Sequence, residues 1–294
     1  MRVVLIGAVE FSRAALERLL ALGTQVVGVC TLAESAFNSD HVDLAALCRT
    51  ANLPCFHADR ADAGEMAAWI RDAAPDVILC LGWSRLLGKD ILDIAPLGVI
   101  GFHPAALPRN RGRHPLVWAL VLGLDATAST FFFMDASADG GDLLDQRPVP
   151  IDPQDDARTL YDKVTQTALE QLTTFLPMLA AGTYPRVPQD LSRATSWRRR
   201  GRRDGQIDWR MSARSIHNLV RGLTRPYVGA HFVAADGRDI KVWKSAVVDG
   251  VPLDLEPGKV LALDSNGPII KCGEAAICLL ETEPSFKPNV GDYL

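Results

Sequence analysis

Residues 76–103 read DVILCLGWSRLLGKDILDIAPLGVIGFH. Two apolar runs, DVILCLG and GVIGFH, flank a short helical stretch, KDILDIA. A strand, a helix and a second strand in succession form the repeating unit of a mostly parallel sheet with helices on both faces. The same alternation continues back to the N-terminus. RVVLIG, QVVGVCTL and LPCFHA read as extended, and SRAALERLLAL, DLAALCRTA and EMAAWIRDAA read as helices. In sheets of this kind ligands bind beyond the carboxyl ends of the strands. His103 lies just past such an end, so its position marks it before any motif is considered.

Downstream, LVWALVLGL is helical and TASTFFFMD extended. DARTLYDKVTQTALEQLTTFLPMLAAG is a long helix stopped by Gly182. The character then changes. RATSWRRRGRRDGQ is polar and basic and has no apolar periodicity, so it reads as a linker. Beyond a further helix, SARSIHNLVRGL, short strands separated by Gly, Pro and Asp suggest a small β-rich barrel. The expected domains are residues 1–190, a basic linker at 191–206, and residues 207–294.

A chain of 294 residues can bury cores for two such domains without staples. Its formal charge of −4 exerts no global pull toward nucleic acid or an anionic membrane. No signal peptide or membrane span is visible. The six cysteines lack metal-ligand spacing, and Cys30 and Cys80 fall inside apolar strands. A reducing cytoplasm and no metal are the natural expectations.

GAVEFS, after the first strand, lacks the spacing of a nucleotide loop, and Gly7 there reads as a turn residue. The segment GFHPAALPRNRGRHP is sharper. Its prolines stiffen the backbone and Gly112 permits an unusual angle, giving a fixed polar loop at a strand end. FFFMDASADGGDLLDQ ends another strand in Asp135, Asp139 and Asp142, acids that alone could be turn formers.

Together these segments resemble the folate-dependent formyltransferases, the family that includes methionyl-tRNA formyltransferase. GFHPAALPRNRGRHP matches the family's Asn-x-His-Pro and LLPxYRGxxP-like stretch, and ADGGD its Asp-x-Gly-Asp-like segment. VVLIGAVEF, DVILCLGWSRLLGKDIL and DGQIDWRMSARSIHNLVRGLTRPYVGAHF extend the similarity over essentially the whole chain. The resemblance implies an α/β fold, with a Rossmann-like sheet followed by an OB-like barrel. The implied activity is formyl transfer from 10-formyltetrahydrofolate to a primary amine, without a metal.

His103 then matches the family's acid/base and Asp139 the residue that orients it. The family's Asn is replaced by Gly101, which has no side chain to stabilise a developing oxyanion. Asn110 is the first candidate to fill that role, with a water or a backbone N–H as alternatives. Trp83, Ser84, Leu86, Leu87 and Asp142 would receive the folate, with Trp83 either stacking on it or belonging to the core. Arg111, Arg113, Arg200 and Arg202 would bind the acceptor, although the basic stretch could equally be a solvated linker.

Two acceptor classes fit the resemblance, methionyl-tRNA and a nucleotide-linked amino sugar. TLAESAFNSDHVDLAAL carries Glu34, Asp40 and Asp43 and no Lys or Arg, where relatives acting on tRNA carry a basic loop. It is similar to a segment of the 4-amino-4-deoxy-L-arabinose formyltransferases. The expectation is therefore a sugar nucleotide and a place in lipopolysaccharide biosynthesis, with tRNA the alternative. A non-catalytic folate- or ligand-binding homologue is the third reading. A homodimer is possible, and no membrane partner is expected.

Overall fold

The structure, a computed structural model, describes residues 1–36 and 38–294; Phe37, part of the segment compared above with sugar formyltransferases, and the Ala63 side chain lie outside the described residues. The chain divides into two compact units. One comprises residues 1–112, 127–149 and 162–197, and the other 113–126, 150–161 and 198–294.

The first unit is built on β1 (Arg2–Ile6), α1 (Glu10–Ala21), β2 (Gln25–Thr31), α2 (Ala45–Thr50), β3 (Cys55–His57), α3 (Ala63–Asp72), β4 (Val77–Cys80), α4 (Lys89–Leu92), β5 (Val99–His103) and β6 (Arg111–Gly112). After α5 (Pro115–Val121), which belongs to the second unit, come β7 (Ala126–Phe133), β8 (Leu143–Pro150), α6 (Ala157–Ala181) and β9 (Ser196–Trp197). The main sheet has the order β3-β2-β1-β4-β5-β7-β8. The first five strands in that order run parallel, and β7 turns antiparallel against β5. The strands of the parallel part are nearly all apolar because helices cover both faces.

On one face Phe11, Phe102, Phe131 and Phe175 form a chain of ring contacts with centroids 4.5–5.0 Å apart. On the other, Val4, Ile6, Ile78, Cys80 and Val99 pack with Met66 and Ile70 of α3. Burial of a large apolar side chain here contributes roughly 1.5–3 kcal/mol. Cys30 and Cys80 are buried thiols, as expected, and burial pushes Cys80 up to about 12. At Gly7 a Cβ would lie 2.2 Å from the Leu81 carbonyl oxygen and 2.4 Å from Ser12 Oγ, so glycine is needed for close packing at the first turn.

β8 was not legible as a strand. Its sequence, LLDQRPVP, has the polar run Asp145, Gln146 and Arg147 and holds two prolines, a pattern tolerated only at a sheet edge, where β8 lies. Within the stretch expected to be a linker, β9 pairs in parallel with β6, Arg111 opposite Ser196 and Gly112 opposite Trp197.

The second unit contains α5, α7 (Ala213–Leu223) and β10 (Ala230–Val233), β11 (Asp239–Val248), β12 (Val260–Asp264), β13 (Gly267–Lys271) and β14 (Ala276–Glu283). The strands form one antiparallel sheet in the order β10-β11-β14-β13-β12. Ser212 caps α7 by accepting from Ser215 N. Ile216, Leu219, Val220 and Leu223 of α7 pack on Phe232, Ile240, Val242 and Ile277 of the sheet, with Val117 of α5 in the same core. Among the described residues no helix is long and apolar enough to cross a membrane.

Candidate active site

His103 is the last residue of β5, buried, and opposite Thr130 of β7. The loop after it is held to the sheet by its carbonyls. Thr127 Oγ1 donates to Pro104 O at 2.9 Å, Thr130 Oγ1 to Ala105 O at 2.7 Å, and Gln146 Nε2 to Leu107 O at 3.0 Å. The chain then turns back at Asn110, where φ is +63°, a left-handed conformation that Asn tolerates better than most residues. The turn aims the Asn110 carbonyl at the imidazole, 2.8 Å from Nε2.

A carbonyl oxygen only accepts, so Nε2 carries a proton and Nδ1 faces Asp139. Nδ1 lies 3.6 Å from Asp139 Oδ2, longer than a hydrogen bond. The same carboxylate oxygen accepts from Gly112 N at 2.9 Å. Asp139 sits on the loop after β7 with φ +53°. The imidazole is thus bracketed by a backbone carbonyl that fixes the proton on Nε2 and a carboxylate beside Nδ1, the nitrogen left to gain or lose a proton.

Gly101 precedes His103 by two residues and shares its face of β5. A Cβ there would lie 2.8 Å from Met134 Cγ and 3.0 Å from Phe132 Cζ. Met134 and Phe132 thus take the space that a side chain at 101 would need. Asn110, expected to replace the missing amide, meets His103 through its main chain. Its side-chain Oδ1 accepts from Thr195 Oγ1 at 3.4 Å.

The other sequence-derived residues have separate surroundings. Trp83 packs at the edge of the core with Leu87 and Met134. Its Nε1 is buried and has no hydrogen-bond partner among the described residues, an unusual state for an indole donor. Ser84 Oγ donates to Asn38 Oδ1 at 2.8 Å, and Leu86 is 81% exposed. The Asp142 carboxylate is taken by Arg186, 2.8 Å away.

Arg111 Nη2 donates to Gln189 Oε1 at 2.7 Å. In the second unit Arg113 is exposed, the Arg200 guanidinium stacks 4.4 Å above the Trp118 ring, and Arg202 pairs with Asp239 at 2.8 Å. Arg198 forms a two-pronged ion pair with Asp204 and holds its carboxyl well below the usual range. His114 is held below the ordinary imidazole value, first by burial and then by Arg200, Arg113 and Arg199. Positive charge is therefore concentrated around Trp118. Sequence reading passed over Met134, Trp118, Gln189 and Thr195, whose significance comes from contacts with residues distant in the chain.

These features place a candidate active site at the carboxyl edge of a parallel sheet. Residues 1–176 match the Formyl transferase family and residues 201–291 the Formyl transferase C-terminal domain, and the chain belongs to this family of enzymes. It is 31% identical over 287 residues to the methionyl-tRNA formyltransferase of Geobacter sulfurreducens (strain ATCC 51573 / DSM 12127 / PCA), covering 96% of this chain and 89% of that protein. It is also 31% identical over 300 residues to that of Geotalea uraniireducens (strain Rf4), covering 100% and 94%. In fold it is similar to the N-formyltransferase from Helicobacter canadensis in complex with folinic acid and dTDP-3-aminofucose. The TM-score there is 0.71 at 16% identity, over 95% of this chain and 98% of the other.

The expectation of a sugar nucleotide acceptor is corrected by these relatives. Those similar in sequence along nearly their full length are methionyl-tRNA formyltransferases, whereas the sugar enzyme shares only the fold. One of the acids after β2 has a structural use. Asp43 accepts from Ala45 N at 2.9 Å and from His57 Nε2 at 3.2 Å, so its charge serves the entry to α2.

Proposed function

We propose that the chain transfers the formyl group of 10-formyltetrahydrofolate to the α-amine of methionyl-tRNA. The observation that carries this reading is the near-full-length identity to methionyl-tRNA formyltransferases. The pairing of His103 with Asp139 supports it.

The residues present fit a folate. The indole N–H of Trp83, buried and without a partner among the described residues, is a donor suited to a heterocyclic acceptor, and Leu86 and Leu87 add apolar surface. When bound, the folate supplies a formyl group on nitrogen. His103 holds one proton at Nε2, takes another at Nδ1 as the attacking amine loses it, and gives that proton to the nitrogen from which the formyl carbon departs. Asp139 stabilises the ring in that state. Gly101 provides no oxyanion donor, so this task falls to a backbone N–H or a water near the loop. Arg113 and the arginines around Trp118 face the phosphates of the tRNA.

The test is incubation of the purified chain with 10-formyltetrahydrofolate and methionyl-tRNA, with N-formylmethionine on the tRNA measured by mass spectrometry. Formylation of methionyl-tRNA is the expected result. No product on methionyl-tRNA, alongside turnover of another amine, overturns the proposal.

A further inference from the structure

Beyond the paired His103 and Asp139, we propose that Gln189 is a positioning residue that sets the placement of Asp139 against the imidazole. This rests on reading the site as the formyl-transfer centre.

Gln189 lies in the polar stretch after α6. Its amide spends every strong contact on the site's two loops. Oε1 accepts from Arg111 Nη2 at 2.7 Å, and Nε2 donates to Asp139 O at 2.9 Å and to Gly141 O at 2.6 Å. Arg only donates and carbonyls only accept, so the orientation of the amide is dictated by its partners. One side chain thus ties the loop after His103 to the loop bearing Asp139. Asp139 needs such a tie, because its φ of +53° is a conformation that a free loop would seldom hold.

The surrounding chain makes the same connection. Asn110 N donates to Thr195 Oγ1 at 2.9 Å, and Arg111 N to Thr195 O at 2.9 Å. The segment 189–197 therefore braces both halves of the site, Thr195 behind the carbonyl that meets Nε2 and Gln189 behind the carboxylate that faces Nδ1. The proper length of the Nδ1 approach, 3.6 Å, then depends on Gln189.

Three variants test this. Gln189→Met keeps the side chain's size and removes all three hydrogen bonds. Gln189→Glu keeps the acceptor for Arg111 and removes the donors to Asp139 and Gly141. Each is expected to lower kcat about ten- to a hundredfold, because displacing a catalytic group by about 1 Å has effects of this size. KM for either substrate should change less than about twofold, as expected when only the transition state is affected. In an Asp139→Asn background, Gln189→Met should cost nothing further, because the two act through one carboxylate. Multiplying losses, or an unchanged kcat in both variants, overturns the proposal.

A second readout requires no substrate. Nitrogen NMR of the His103 ring should show the Nε2–H form in the wild type and an altered Nδ1 signal in Gln189→Met. An unaltered ring in a folded Gln189→Met protein overturns the positioning role. A responsive ring in a chain that formylates no amine supports the role and removes only the proposed reaction.

Discussion

The side chain of Met134 occupies the space beside Gly101 that a larger residue would require. A Cβ at 101 would approach Met134 Cγ to 2.8 Å and Met134 Sδ to 3.1 Å. Restoring an amide at that position is therefore a packing problem as much as a chemical one. Gly101→Asn should lower stability by about 1–3 kcal/mol, the range for overfilled cores. Gly101→Asn with Met134→Ala should recover part of that loss. Denaturant unfolding of the two single variants and the double variant checks this, and purely additive effects would show that Met134 is not the obstacle.

His103→Ala and Asp139→Asn should each reduce turnover, by about 10²–10⁴-fold for a general acid/base of this kind. The first removes the ring and the second the charge beside Nδ1. Single-turnover formylation with saturating methionyl-tRNA measures both, and circular dichroism shows whether the fold is retained. Full turnover in either variant rejects the pair as the centre.

Trp83→Phe removes an N–H that is buried without a partner among the described residues. If that donor serves the folate, its loss should weaken folate binding by about tenfold, in line with a hydrogen bond of about 1–1.5 kcal/mol. Stability of the free protein should hold or rise, since an unsatisfied buried donor is costly. Titration with folinic acid, followed by tryptophan fluorescence or calorimetry, gives the affinity. Equal affinity for both proteins would assign Trp83 to the core alone.

Arg113 and Arg203 are exposed cations near the Trp118 cluster in sequence and lie in the same unit. Replacing both with alanine should raise KM for methionyl-tRNA several-fold and leave kcat intact. The slope of log affinity against log salt should become shallower by about one for each phosphate that is no longer neutralised. A salt dependence identical to wild type would place the tRNA elsewhere.

His217 and His231 in the second unit are both held below the ordinary imidazole value of about 6.5, first by burial and then by nearby arginines. The unfolded chain takes up protons on these rings before the folded one does. Stability is therefore retained above about pH 6.5 and lost as the pH falls through the lowered folded-state values. Urea midpoints at pH 7.5 and 5.5 should show this decline. His217→Gln should make it shallower, and an unchanged slope would deny His217 a part in it.

The order of strands and helices through β5 was readable because helical and extended segments bury apolar side chains at different periods. The apolar run at 99–103 located His103 at a strand end, and the acids after β7 were visible as a cluster. β8 escaped because an edge strand need not be apolar. Gln189 and Thr195 escaped because a polar residue bonded to a loop 78 or 85 residues away leaves no local pattern. Asp43, one of the acids after β2, was visible but misread, since a charge spent on a helix entry looks in one dimension like a charge facing solvent.

Alone, the sequence determined the two-part α/β and β-rich architecture, the family, and the candidacy of His103 and Asp139, all properties carried by local periodicity and short motifs. Only the tertiary structure decided how those two residues meet. It brought the Asn110 carbonyl to Nε2, filled the space at Gly101 with Met134, and tied the two loops through Gln189. The reason is physical: hydrogen bonds and close packing act over a few ångströms in space, whatever the separation of their partners along the chain.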